Sequence, residues 1–142
     1  IARASGFPVL ARSTDFFPSY QGGVIAARRD WAADHPGLVR SFIRAYLDGL
    51  AWTLDPAHRE AAAALLLTRM PDIKPGLTDA VMSSLLSPRS GLTPGGAVLP
   101  DGMRAVLELR SRHGRPQRSL TDIYKYLALS LYDDVRAAAP AP

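Results

Sequence analysis

At 142 residues, with 47% hydrophobic and 21% charged residues, the chain can bury one ordinary core, and one globular domain is expected. No apolar run approaches the ~20 residues of a membrane-spanning helix; the longest candidate is Ala61 to Leu67. The net charge of +4 comes from arginines scattered among acids and apolar residues, which argues against a nucleic-acid partner. The chain has no cysteine, which excludes disulfides, thiol catalysis and cysteine-ligated metals.

The first expected element is a short strand at Phe7–Arg12, with Pro8 confining it to a sheet edge or a strand start. Ser13 to Gly23 then connects to a second strand, Val24–Arg28, a short apolar run with β-branched members bounded by turn signals. Two strands are marginal alone and need further cover. Asp34-His35-Pro36 marks a helix start, because a first-turn proline sacrifices no intrahelical hydrogen bond.

From there on the chain reads as helix. Leu38, Val39, Phe42, Ile43, Tyr46, Leu47, Leu50, Ala51 and Leu54 recur at three- and four-residue spacing, which predicts a central helix over 36–54. Asp55-Pro56 is an N-cap followed by a first-turn proline and starts a second helix running to about Met70. A third helix is predicted from Pro75 to Leu86, with Leu77, Val81, Met82 and Leu85 inward. After a Pro/Gly-rich loop, Asp101 is the expected cap of a fourth helix ending near Gly114. Ser119 or Thr121 would cap a fifth, burying Leu120, Ile123, Tyr124, Leu127 and Leu131. The organisation expected is a crossover segment (1–29), a helical portion (30–136) and a tail (137–142) with nothing to bury.

Few side chains offer chemistry. His35, His58 and His113 lie in separate segments with no partner at metal-ligand spacing, so no metal is expected. No serine sits in a Gly-x-Ser-x-Gly elbow, and the Gly-rich stretch 91–96 has no following Lys-Ser/Thr to make a phosphate loop. No enzyme activity and no cofactor are expected. The loop Phe16-Phe17-Pro18-Ser19-Tyr20-Gln21 is different in kind. Its aromatics beside hydroxyl and amide groups suit the wall of a small-molecule cleft, or else the aromatics plug a core beneath a loop.

The order of features carries a resemblance. Gly6-Phe7-Pro8-Val9-Leu10 leads to Tyr20-Gln21-Gly22-Gly23-Val24-Ile25-Ala26-Ala27-Arg28, then to Asp34-His35-Pro36 and the amphipathic run ending Arg44-Ala45-Tyr46. Trp52, Asp55-Pro56 and, far downstream, Leu120-Thr121-Asp122-Ile123-Tyr124-Lys125-Tyr126-Leu127 complete it. Over about residues 6 to 135 this resembles the C-terminal part of the type II periplasmic solute-binding proteins of ABC importers, in the branch of the aliphatic-sulfonate, taurine, nitrate and thiamine-pyrimidine receptors.

The resemblance implies an α/β parent fold of two lobes that close on a solute. This chain would be a mostly helical C-terminal piece of it, with about five helices and one or two short N-terminal strands. It also implies a small, anionic organic solute, an ABC permease as partner and a periplasmic location, with the signal peptide outside this chain. By the same resemblance Phe17, Tyr20 and Gln21 are the residues expected to touch solute. A helical piece with open strand edges is further expected to associate with itself. The alternative reading is a self-standing helical ligand-sensing or protein-interaction domain, as in a regulator.

Overall fold

The computed structural model describes residues 6–138, and the elements they form are helices. These are α1 (Ser13–Phe16), α2 (Arg29–Asp34), α3 (Pro36–Leu54), α4 (Arg59–Arg69), α5 (Thr78–Leu85), α6 (Pro100–His113) and α7 (Ser130–Ala138). Single 3₁₀ turns precede α4 and α5 at Pro56–His58 and Pro75–Leu77, each entered through a proline. The mostly helical reading therefore holds.

Neither expected strand forms among the described residues. A strand is defined by the ladder it makes with a neighbour, and neither Phe7–Arg12 nor Val24–Arg28 finds one. Leu10 is 93% exposed and Ile25 61% exposed, so hydrophobic composition alone did not bury either run. Part of the expected connection is helical instead: Asp15 accepts a hydrogen bond from the Arg12 backbone N–H and closes the single turn of α1.

The described chain divides into two compact units, Ile1–Pro18 with Gly49–Ala97, and Ser19–Asp48 with Val98–Pro142. In the first unit, Asp55 caps the turn after α3 by accepting from the Ala57 N–H at 2.8 Å, as the sequence predicts. Immediately beyond, the His58 ring stacks on Trp52 with centroids 4.8 Å apart, and its Nδ1 lies 3.1 Å from the Trp52 carbonyl oxygen. The corner is thus held by a cap and a stacked pair, with Leu50, Ala62 and Met82 as the buried side chains of this unit.

In the second unit, Met103 and Leu107 of α6 pack with Ile123, and Val98, Leu120 and Leu127 close around them. Arg40 of α3 donates through Nε and Nη2 to Asp134 of α7 at 3.2 and 2.8 Å. The stripe of α3 is less buried than its pattern suggests. Leu38 is 60% exposed, and Phe42 and Tyr46 are also exposed. A broad apolar face is a capacity for burial, which needs a partner to realise it.

The fifth helix is displaced. Residues 119–128 form a loop with one 3₁₀ turn, Tyr124–Tyr126, and the helix begins at Ser130. Two side chains hold this loop through backbone donors. Ser111 Oγ accepts from the Leu120 N–H at 2.9 Å, and Asp122 Oδ1 accepts from the Tyr124 N–H at 2.9 Å. Leu120, Ile123 and Leu127 still reach the core, whereas Tyr124 stands exposed. The expected caps are displaced as well: Asp101 sits in the first turn of α6, after Pro100, with Leu99 as the capping residue. Of the expected tail, residues 137 and 138 belong to α7, and 139–142 lie outside the described residues.

Candidate functional site

The loop expected to touch solute is split between the two units, Phe17 falling in the first and Tyr20 and Gln21 in the second. Phe17 terminates α1, its N–H bonded to the Ser13 carbonyl at 2.8 Å, and its side chain is half-buried. Phe16 beside it is exposed, so it does not plug a core.

Gln21 is the best-anchored of the three. Its Oε1 accepts from the Leu99 N–H at 2.9 Å and its Nε2 donates to the Gly23 carbonyl at 2.7 Å. Leu99 caps α6, and the first backbone N–H groups of a helix have no intrahelical acceptor. The amide of Gln21 thus satisfies a donor at the mouth of α6 and at the same time fixes the turn into Gly23.

Gly102 explains how the loop comes so close. It is buried in the first turn of α6, and a Cβ there would lie 2.7 Å from the Gln21 nitrogen, 3.0 Å from the Tyr20 carbonyl carbon and 3.1 Å from Ser19 Oγ. Only a residue without a side chain lets this backbone rest on the helix. Tyr20 is half-exposed above this seat, with its ring edge towards Gly22. The arrangement is a backbone seat with one aromatic at its rim. It can present a flat apolar face to a small molecule.

Sequence reading did not find Leu99 and Gly102, the two residues that position Tyr20 and Gln21. The available signal was the Pro100-Asp101-Gly102 start of α6, where a glycine one turn inside a helix is unfavourable unless something packs on it. No group of three or more His, Asp or Glu among the described residues is placed to hold a metal ion. Two open grooves of about 350 and 450 Å³ lie along the second half of α6, and Phe17, Tyr20 and Gln21 line neither.

No known family profile and no solved structure matches the chain. Over 65 residues it is 32% identical to the bicarbonate transport ATP-binding protein CmpC of Synechocystis sp., a match covering 46% of this chain and 10% of that protein. The chain therefore spans about a tenth of the length of the relative it matches.

Proposed function

We propose that the chain is a segment of the solute-recognition part of an ABC importer, which takes up a small anionic solute by closing around it and hands it to a membrane permease. The observation that carries this reading is the partial similarity to a bicarbonate transport protein, which agrees in direction with the resemblance of residues 6 to 135 to solute receptors. That relative is named for ATP binding. The Gly-rich stretch 91–96 of this chain has no Lys-Ser/Thr after it, and the proposal takes from that relative only the link to transport. The role is binding without catalysis. Tyr20 would supply an apolar face and Gln21 would hold the loop in place.

A second reading, a self-standing helical ligand-sensing or interaction domain, is favoured by the lack of any strand among the described residues. Two measurements separate them. The coding sequence upstream of Ile1 should hold about 150 residues of alternating strand and helix under the transport reading, whereas a DNA-binding segment there would favour the regulator. A thermal-shift series of the full gene product with bicarbonate, nitrate, taurine, alkyl sulfonates and pyrimidines should give a saturable rise in melting temperature for one class. No shift with any of them would overturn the transport reading.

A further inference from the structure

The basic residues are scattered over most of the chain, but one run of them, which sequence reading missed, holds no acid. Residues 110–119 contain Arg110, Arg112, Arg115 and Arg118 and no acid, and these four account for the whole +4. Without them, 13 basic residues face 13 acidic ones, so the rest of the chain is neutral in sum. The stretch joins the last turn of α6 to the loop beyond it, and all four arginines are exposed.

Two of the four are engaged locally. Arg112 pairs with Glu108 one helical turn back at 2.5 Å. Arg110 folds over Gly114, where a Cβ would collide with its guanidinium, and donates through Nη2 to the Arg115 carbonyl at 3.4 Å. Arg115 and Arg118 have no ion-pair partner among the described residues. The two open grooves meet here, sharing Ser111, Arg112 and Ser119, and Arg118 and Gln117 line the larger one. The result is an open trough, lined in part by Leu107 and Leu120, with Arg112 and Arg118 along it and Arg115 on the adjoining exposed loop.

We propose that this trough docks an acidic polypeptide segment of a partner protein, with side-chain carboxylates on Arg115 and Arg118 and the partner's peptide groups on Gln117. A guanidinium presents paired N–H donors that match a carboxylate, and a field concentrated on one face steers an oppositely charged segment towards it. The chemistry favours a polypeptide over two other polyanions. A membrane-surface patch needs a face of large apolar side chains to bury, and the only apolar ring in residues 110–119 is Pro116. Single-stranded nucleic acid stacks successive bases on successive aromatics, and the stretch offers only His113. This inference rests on charge placement and stands apart from the identity of any solute.

The test uses the 142-residue chain and a fluorescein-labelled decaglutamate peptide, read by fluorescence anisotropy at low and high salt. Binding should be measurable at low salt and lost when ionic strength shortens the screening length to about 3 Å. Arg115→Glu with Arg118→Glu should weaken it about tenfold or more, while Arg28→Glu with Arg29→Glu, the same charge change at another exposed pair, should alter it less than about twofold. Circular dichroism checks that each variant keeps its helices. If the first variant unfolds, amide shift mapping of the wild-type chain decides, with perturbations confined to residues 108–121 expected. Absence of binding, equal loss in both variants, shifts centred elsewhere, or tighter binding to phosphatidylserine vesicles or to an oligonucleotide of matched charge would each overturn the proposal.

Discussion

A glycine in a helix interior is normally about 1 kcal/mol worse than alanine, so Gly102→Ala would stabilise α6 if nothing rested on it. Here the added methyl would meet the backbone of Tyr20 and Gln21 inside contact distance. The substitution should instead destabilise the protein by about 1–3 kcal/mol, as overpacking does, and urea unfolding reads the sign directly. Gln21→Ala tests the same seat from the other side. Losing Oε1 leaves the Leu99 N–H without its acceptor in a half-buried position, at an expected loss of about 1–3 kcal/mol. The exposed Arg40–Asp134 pair behaves differently, because solvent screens it. Asp134→Asn should change stability by no more than about 1 kcal/mol.

At the scale of elements, the helical spacing was readable wherever local signals were strong. The Pro36 start, the Leu54 end and the Asp55 cap of the next turn all fall where the sequence puts them. The failures lie where local pattern met no matching backbone partner. Residues 24–28 carry β-forming side chains without a ladder partner among the described residues, and residues 119–128 carry a helical spacing in a loop that Ser111 and Asp122 hold through backbone donors. In that second segment Leu120, Ile123 and Leu127 reach the core from a loop, so burial and periodicity coincide there without a helix. Substitution can distinguish the loop from a helix. Ile123→Ala should destabilise by about 2–4 kcal/mol, and Tyr124→Ala, which an amphipathic helix would make costly, should stay within about 0.5 kcal/mol. Comparable losses at both positions would mean that Tyr124 is packed.

For the whole molecule, the exposed apolar side chains bear on association. Val24 and Ile25 lie in a stretch with no ladder partner among the described residues, and Leu38, Phe42 and Tyr46 recur along one face of α3 within the same unit. Faces of this kind drive contact between copies when nothing else covers them. The chain should therefore self-associate as its concentration rises, and light scattering across a dilution series measures this. A monomer throughout the series would show that these faces do not suffice. Salt separates this contact from docking at residues 110–119, since apolar association strengthens or persists in salt whereas the charged trough weakens.

Read alone, the sequence determined what is local. Its lack of cysteine, the proline-led helix starts, the apolar stripe of α3 and the Asp55 cap all follow from residue type and order. Tertiary structure decided what depends on contacts distant in sequence. Gln21 became an anchor because Leu99, 78 residues away, needs an acceptor, and Gly102 became a seat because a loop from elsewhere rests on it. The two apolar N-terminal runs acquired no ladder among the described residues. Hydrogen-bond satisfaction and close packing are properties of pairs, and no single position in a chain records its distant partner.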